Sequence, residues 1–554
     1  MLKTVLTTSI LLAVSSVFAT EPVRKPNILL IVADDLGFSD LSALGSEITT
    51  PNLDSLIKQG KLLLDFHTAP SCSPTRAMLM SGNDPHLVGL GMMAETRQRV
   101  IPQDQAARDG YAGVLLDNVA TLSELLQDSD YRTYIAGKWH LGKEPAQQPQ
   151  NRGFDEAYVL LEGGASHFKQ ANMSLMPGTA STYLYNGKPI ELPEDFYSTQ
   201  WYTERLLHLL KRDQASSKPF FAFAAYTSPH WPLQAPDSYL EKYRGRYDKG
   251  YEVIGKERLE RQRAAGLVPA DYPSSPQLIG VPSWDSLSTE QQQRSARTME
   301  AYAAMVESLD AEVGRLVGYL RETRQLDDTL IIFMSDNGAE HADRVDPKWI
   351  KANFDNSLEN YGRRDSFLME GSAWAQVSSL PSQRYKMTTY QGGIRVPAFV
   401  HFPGTVRPGV SDQLASVRDI MPTLLQLAGT PMPGITYRNR NIVPPQGTSM
   451  LDHLQGKDER VHAIDEALGW EINGYASLRR GSMKLLFDPE QAESGWQLFD
   501  LSKDPGERHD LANEQPATRD ALLRDWRAYA QRNNIALGAD ARPVFPAKAE
   551  HRAN

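Results

Sequence analysis

The chain has 554 residues, of which 41% are hydrophobic, and carries a formal net charge of −10. A chain of this length can bury a large core and form more than one domain. Its acidic balance argues against nucleic acid as the main partner. An anionic ligand would therefore have to be attracted by a local cluster of cations and not by the overall field.

The first 19 residues have the pattern of a cleaved signal peptide. Lys3 supplies a basic start, residues 5–14 form an apolar run, and small residues lead to Ala19. The run is too short for a comfortable bilayer span. Loss of Lys3 with this segment would leave a charge of −11. The sequence thus predicts a periplasmic or secreted protein without a stable membrane anchor.

Two apolar, β-branched runs end in acidic and amide side chains. Residues 27–33 precede Asp34 and Asp35, and residues 329–334 lead to Asp336 and Asn337. Such runs are typical of strands buried in a parallel sheet, and ligands bind at the carboxyl ends of such strands. A turn that caps a helix would explain one aspartate better than two. Four oxygen ligands without a soft ligand nearby predict a hard cation, with Ca²⁺ favoured over Mg²⁺.

Two further strand ends carry histidines. A predicted helix at 118–127 and a strand at 131–136 precede Lys138 and His140, which alone would be ordinary loop residues. A strand at 219–226 leads to His230, which lies between two prolines and hence in rigid, extended backbone. That position suits a catalytic acid, although the ring could simply pack on Trp231.

The rest of the chain predicts a large domain followed by a smaller one. We expect an insertion over the sheet at 237–293, a helix at 298–324, an active-site loop or lid at 339–383, a strand at 398–402 and a helix around Ile420. The smaller unit would contain strands near 475–478, 484–487 and 496–499 and a helix at 516–531. We place the catalytic domain at 20–440 and the C-terminal domain at 441–554.

Cys72 is the only cysteine of the chain. In an exported protein it can form no internal disulfide, and a free cysteine is most often a small buried hydrophobe. Here, however, it begins the run Cys-Ser-Pro-Thr-Arg, which is polar and ends in Arg76. A phosphatase-type thiolate would need its arginine after a longer loop.

The run from Cys72 to Arg76, followed by Leu79, Ser81 and Gly82, resembles the signature of type I sulfatases. Further motifs at 137–142, 229–236 and 496–501 extend this resemblance over nearly the whole mature chain, and it is greatest to bacterial arylsulfatases. The resemblance implies an alkaline-phosphatase-like α/β fold, in which helices flank a large mixed sheet and a smaller α+β domain follows.

In that family a formylglycine-generating enzyme oxidises the cysteine to 3-oxoalanine (formylglycine), which is held as its hydrate. One hydroxyl attacks the sulfur of a sulfate ester and the alcohol leaves. The second is then deprotonated, and sulfate departs as the carbon–oxygen bond breaks. The resemblance also implies one Ca²⁺ per chain, bound by the residue at position 72 and by Asp34, Asp35, Asp336 and Asn337.

The family's catalytic roles transfer by position. Arg76 would hold the hydrated aldehyde and the metal-site carboxylates. Lys138 and Lys386 would bind the sulfate and bridging oxygens, His140 would accept the proton of the second hydroxyl, and His230 would protonate the leaving group. The chain departs from the family at Thr75, where serine is commoner, and at Gln391, where many relatives have glutamate.

Three functions remain open at this point. The first is hydrolysis of aryl or other sulfate esters, with a small molecule or a glycan as the alcohol. The second is hydrolysis of phosphonate monoesters or phosphodiesters on the same fold. The third is an exported anion-binding protein in which Cys72 is never oxidised.

Overall fold

A computed structural model describes residues 25–100, 109–341, 345–538 and 540–544. The predicted signal peptide at 1–19 lies outside these residues. No helix in the described part of the chain is both long and apolar enough to cross a membrane.

The described residues form 18 strands and 14 α-helices. The strands are β1 (Asn27–Ala33), β2 (Lys61–Leu63), β3 (Phe66–His67), β4 (Arg132–Lys138), β5 (Glu156–Leu160), β6 (Tyr183–Tyr185), β7 (Lys188–Pro189), β8 (Phe220–Ala225), β9 (Thr329–Ser335), β10 (Ala398–His401), β11 (Gly409–Ser411), β12 (Ala415–Ser416), β13 (Thr436–Tyr437), β14 (Arg440–Asn441), β15 (Ala467–Ile472), β16 (Tyr475–Arg480), β17 (Met483–Phe487) and β18 (Trp496–Asp500). The helices are α1 (Pro51–Gln59), α2 (Cys72–Ser81), α3 (Ala94–Val100), α4 (Leu122–Asp128), α5 (Ser198–Arg212), α6 (Asp237–Leu240), α7 (Tyr251–Ala264), α8 (Thr289–Glu322), α9 (Pro347–Asn353), α10 (Ser372–Ser378), α11 (Gln391–Ile394), α12 (Ile420–Ala428), α13 (Leu451–Leu454) and α14 (Pro516–Arg532).

A ten-stranded mixed sheet forms the centre of the large unit. Its order is β11-β2-β10-β9-β1-β8-β4-β5-β6-β7. Strands β9, β1, β8, β4 and β5 are parallel, whereas β10 pairs antiparallel with β2 and β9. The predicted large mixed sheet is therefore confirmed.

Helices cover both faces of this sheet, which explains why β1 is apolar from Ile28 to Ala33. Leu29 and Ile31 pack with residues of α5 and α8, whereas Ile28, Leu30 and Val32 pack with residues of α2, α4 and α12. Successive side chains of a strand point to opposite faces, so a strand covered on both faces must be apolar at every position.

The segments 237–293 and 339–383 contain more helix than the sequence pattern indicated. Helix α7 lies within the expected insertion, α8 begins at Thr289 instead of residue 298, and α9 and α10 lie within the expected loop. The pattern of apolar residues along α7 is weak because the buried face of this helix includes polar side chains. Arg258 of α7 is buried and pairs with Asp40 at 2.6 Å and with Glu47 at 2.8 Å.

A smaller unit follows, as predicted, and is built on a four-stranded antiparallel sheet of order β15-β16-β17-β18. Helix α14 packs on it through Leu522, Trp526 and Tyr529. The sequence pattern missed strand β15. The boundary between residues 440 and 441 stays a prediction, and it falls within β14.

The order of the parallel strands determines where the polar residues gather. Strands β9, β1, β8 and β4 are neighbours that run in the same direction, so their carboxyl ends lie along one edge. The residues at or just after these four ends include every candidate for catalysis or metal binding found in the sequence except Cys72, Arg76 and Lys386.

Candidate active site

Cys72 is the first residue of helix α2 and is 1% exposed. Its Sγ lies 3.4 Å from Oδ1 of Asp34 and 3.8 Å from Oδ1 of Asp35. Burial, together with the negative charge of Asp336, raises the pKa of the Cys72 thiol well above its usual value. Because the thiolate is the nucleophilic form of cysteine, the unmodified side chain is a poor nucleophile here.

The side chains predicted to bind a cation converge beside Cys72. The backbone N–H of Asp35 donates to Oδ1 of Asp336 at 3.3 Å, and Nδ2 of Asn337 donates to Oδ1 of Asp35 at 2.6 Å. Asp34 and Asp35 follow β1, Asp336 and Asn337 follow the neighbouring β9, and all four side chains are buried. Asp35 has a φ of 68°, a left-handed conformation that is uncommon for residues other than glycine.

The donor set fits a hard cation. Oδ1 of Asn337 is buried and has no hydrogen-bond partner among the described residues. Burial raises the pKa of Asp35 to about 7, because Lys386 offsets only part of the effect of burial and of the nearby acids. Ligand atoms of Asp34, Asp35, Cys72 and His230 also lie within 4.8 Å of one another. Clustered buried oxygens with an unsatisfied amide oxygen suit Ca²⁺.

Three buried cations surround these acids. Lys138 Nζ lies 2.7 Å from Oδ2 of Asp34, and Lys386 Nζ lies 2.7 Å from Oδ1 of Asp35. Arg76 donates from Nε and Nη2 to Oδ2 of Asp336, at 3.1 and 2.9 Å. Burial alone would raise the pKa of Asp34, but Lys138 and Arg76 outweigh it and lower that pKa. This group is the local cation cluster that an acidic chain needs in order to attract an anion.

The two candidate histidines have different partners. His230 Nε2 lies 3.5 Å from Oδ2 of Asp35, and its Nδ1 lies 2.5 Å from the carbonyl oxygen of Trp231. Burial and the charges of Lys386 and Lys138 hold the pKa of His230 well below its usual value. His140 instead pairs with a residue of α3, Glu95, at 3.3 Å.

One cavity of about 110 Å³ connects these groups. Cys72, His140, His230 and Lys386 line it, and Arg76 and Lys138 lie behind it in contact with the acids. The structure therefore brings all of the predicted site residues together. Five large apolar side chains contribute to the rest of the wall, namely Met93, Leu175, Met176, Trp231 and Val345. Charged residues also line it, among them Glu95, Arg99, Lys143, Glu162 and Glu340.

Three acidic residues of the site were missed in the sequence. Glu340 Oε2 lies 2.9 Å from Lys386 Nζ, Glu95 contacts His140, and Glu162 lines the cavity. Glu340 follows Asn337 by three residues and could have been found from that proximity. Glu95 carries no such signal, because α3 is remote in sequence from every strand end of the site.

Comparison with known proteins agrees with this geometry. A family model described as sulfatase matches residues 26–430. An uncharacterized sulfatase of Schizosaccharomyces pombe is 43% identical over 537 residues, which are 93% of this chain and 95% of the relative. An arylsulfatase of Klebsiella aerogenes is 37% identical over 434 residues, 77% of this chain and 91% of the relative.

A solved structure has the same architecture. The crystal structure of Ps i-CgsB in complex with k-i-k-neocarrahexaose has a TM-score of 0.65 and 27% identity, and the match covers 95% of both chains. The fold and the site thus define an alkaline-phosphatase-like hydrolase. The chain belongs to the sulfatase family and is a sulfuric ester hydrolase.

Proposed function

We propose that this enzyme hydrolyses aryl sulfate esters and releases inorganic sulfate and a phenol, with Cys72 converted to formylglycine. The observation that carries the proposal is the position of the only cysteine. It is buried at the start of α2 against Asp34 and Asp35, where its thiol is not ionised, and it lies in the sulfatase signature. A residue at this position gains a nucleophilic function through modification, not through its own thiolate.

The residues around position 72 have complementary roles in this proposal. Lys138 and Lys386 bind the sulfate oxygens, and Arg76 orients the residue at position 72. His230 gives a proton to the departing phenol oxygen as the sulfur–oxygen bond breaks. His140 then takes the proton of the remaining hydroxyl on the carbon of residue 72. The bond between that carbon and the sulfate oxygen breaks, which releases sulfate and restores the aldehyde.

Asp34, Asp35, Asp336, Asn337 and the modified residue at position 72 would hold one Ca²⁺. The unsatisfied Oδ1 of Asn337 and the three buried carboxylates support this set. The ion would act as a Lewis acid that stabilises negative charge on the sulfate oxygens. Arg76 keeps Asp336 in place for this role through its two hydrogen bonds.

The wall of the cavity supports an aryl group as the alcohol. Met93, Leu175, Met176, Trp231 and Val345 offer an apolar and polarisable surface next to His230. Methionine and tryptophan make favourable contacts with aromatic rings. A sugar would find partners for its hydroxyl groups only at charged lining residues such as Lys143 and Glu162. On the five apolar side chains its polar groups would be costly to bury. We therefore favour a phenol over a glycan at this position.

From the predicted signal peptide we infer that the enzyme acts in the periplasm or outside the cell. A formylglycine-generating enzyme would be its one obligatory partner during maturation. Thr75, which replaces the commoner serine, donates to the carbonyl oxygen of Ala69 at 3.0 Å in the folded chain. The folded site therefore accommodates the threonine hydroxyl with a hydrogen-bond partner.

Two measurements test the proposal. Mass spectrometry of the peptide that contains Cys72 should show the aldehyde, and active protein with only an intact thiol would contradict the proposed nucleophile. Nitrophenyl sulfate should be hydrolysed faster than a phenyl phosphonate by the same preparation. The opposite order would favour the phosphonate or phosphodiester hydrolase, and an inactive thiol protein that binds sulfate would favour the anion-binding protein.

A further inference from the structure

The backbone of His140 is held by a hydrogen bond, and its imidazole packs against Gly163. His140 has a φ of 58°, and its backbone N–H donates to the carbonyl oxygen of Leu161 at 3.2 Å. Gly163 lies so close that a Cβ there would be 2.8 Å from Cε1 of the ring. The ring is 8% exposed and lines the cavity that contains Cys72.

The two nitrogens of this ring have unequal surroundings. Nε2 lies 3.3 Å from Oε2 of Glu95. Nδ1 is buried and has no hydrogen-bond partner within the part of the chain that the structure describes. A neutral imidazole carries its proton on one nitrogen and a lone pair on the other, and the partner of one nitrogen decides which tautomer forms.

We propose that Glu95 is a positioning residue for His140: it accepts the Nε2–H hydrogen bond and so keeps the lone pair on Nδ1, which accepts the proton that triggers sulfate release. The inference rests on the proposed function for the role of that proton, but the tautomer itself follows from the contacts alone. A carboxylate has only acceptors, so the proton between the two groups has to be carried by Nε2.

The charged groups near His140 agree with this assignment. Burial lowers the pKa of His140, as do Lys138 on the same strand end and Arg76 from α2, whereas Glu95 from α3 raises it. Burial would raise the pKa of Glu95, but His140 outweighs it and Lys143 adds to the effect, so that the pKa is about 2. Glu95 is therefore an ionised acceptor at neutral pH, and it is the nearby group that stabilises a positive charge on His140.

The proton transfer that Glu95 would assist needs no oxidant, reductant or other reactant from outside the site. The proton of the second hydroxyl at residue 72 moves to Nδ1. The electron pair of that O–H bond forms the carbon–oxygen double bond, and the pair of the carbon–oxygen bond to sulfate leaves with the sulfate. The positive charge then lies on His140, directly beside the Glu95 carboxylate. Carboxylates that orient histidine in this way contribute through both the tautomer and the charge.

The tautomer can be measured without any catalysis. The chain has 12 histidines, and ¹⁵N-histidine labelling with His140→Gln as the assignment variant isolates the signals of this ring. In protein with an unmodified Cys72, we expect Nε2 to carry the proton. This preference should persist in Glu95→Gln, whose amide oxygen still accepts, and should be lost in Glu95→Ala. A proton on Nδ1 in the unaltered chain, or an unchanged tautomer in Glu95→Ala, would overturn the inference.

Kinetic measurements on enzyme that carries formylglycine test whether Glu95 assists sulfate release. We expect Glu95→Ala to lower kcat by about tenfold to a hundredfold, less than the ~10⁴-fold measured for the buried aspartate of a serine-protease triad, because Glu95 is partly exposed. Since only sulfate release slows, kcat/KM should change little, and one phenol per active site should appear in a burst. A proportional loss of kcat/KM without a burst would indicate that Glu95 only shapes the pocket.

Glu162→Gln is the matched control, because Glu162 lines the same cavity but accepts from the backbone N–H of Thr182 at 2.7 Å. It should change KM without producing a burst, and a burst in this variant would contradict a specific role for Glu95. If unaltered enzyme hydrolyses no sulfate ester, the proposed function fails. The ¹⁵N measurement still decides separately whether Glu95 sets the tautomer.

Discussion

Lys484 Nζ lies 2.6 Å from Oε1 of Glu507, and both side chains are completely buried. Lys484 also donates to the carbonyl oxygen of Thr389 at 2.7 Å, and Oε2 of Glu507 accepts from the backbone N–H of Gln391 at 2.7 Å. The pair therefore connects the smaller unit to the segment that follows Lys386. The amide of Gln391 also takes part in this arrangement, since its Oε1 lies 2.9 Å from Nε2 of His67.

We expect Lys484→Met to lower the free energy of unfolding by about 3–5 kcal/mol, because it leaves the Glu507 carboxylate buried without its counter-charge. Urea denaturation measures this. Adding Glu507→Gln to Lys484→Met should recover part of the stability, since no unpaired charge then remains. Equal stability of the single variant and the unaltered chain would show that the pair does not hold the two units together.

A buried cluster of three ionisable residues predicts a dependence of stability on pH. His86 contacts Asp84 at 2.8 Å and Glu471 at 2.9 Å. Although burial lowers it, these acids raise the pKa of His86 from 6.5 to about 9. The charged form is therefore stabilised by folding, by roughly 3 kcal/mol. This contribution is complete below pH 6.5 and is lost as the pH rises through 9.

The midpoint of thermal unfolding should accordingly fall between pH 6 and pH 10, and the fall should be smaller in His86→Gln, which does not titrate. The difference in unfolding midpoint between the unaltered chain and His86→Gln at pH 6 also measures how much stability is lost when the positive charge between the two acids is removed. Identical pH profiles for the two proteins would mean that His86 is not the titrating group.

The sequence predicts those parts of the fold that depend on burial of apolar surface. Strand β1 has the predicted limits because both of its faces are covered. Helix α7 escapes prediction because its buried face contains an arginine, whose partners Asp40 and Glu47 come from distant parts of the chain. No local pattern reveals such a pairing.

The site residues likewise divide into those that a local sequence pattern reveals and those that only the folded chain brings together. Asp34, Asp35, Asp336 and Asn337 could be found because each follows an apolar strand. Glu95 contacts His140 across 45 residues of sequence, and it follows no strand. Its role depends on how α3 folds back over the end of the sheet, and a single sequence does not contain that information.

Gly163→Ala tests whether the position of the His140 ring matters. The new Cβ would lie 2.8 Å from Cε1 and 3.0 Å from Nε2, so the imidazole would have to move. We expect kcat to fall on the order of a hundredfold, as for small displacements of catalytic groups. Gly434→Ala is the control, because nothing lies within 4 Å of its Cβ. If both variants retain full activity, the ring tolerates displacement and does not act as the base.

Asp336→Ala tests the proposed calcium site. We expect metal analysis to find one Ca²⁺ per chain in the unaltered enzyme and far less in the variant, because a buried carboxylate ligand is lost together with the partner of Arg76. Activity should fall in parallel and recover in part with excess Ca²⁺. Asp327→Ala, which removes an exposed carboxylate, should retain both metal and activity. Active protein without a divalent cation would disprove the site.

The final prediction concerns His230 as the acid that protonates the leaving group. In the structure, burial and the charges of Lys386 and Lys138 keep the pKa of His230 well below its usual value. In the proposed substrate complex, the sulfate ester would bring a negative charge beside both lysines and so favour a proton on His230. The importance of that proton depends on how poorly the alcohol leaves without it.

We therefore expect the loss in kcat/KM for His230→Ala to grow as the pKa of the leaving phenol rises, up to a factor of about 10²–10⁴ for the poorest leaving groups. A series of substituted phenyl sulfates measures this dependence for both proteins. Trp231→Phe is the matched control, because it keeps an aromatic ring in the stacked contact with His230 while leaving the imidazole in place. It should lower kcat/KM by a similar factor for every substrate. A uniform loss for His230→Ala, with an unchanged slope across the series, would mean that His230 only shapes the pocket.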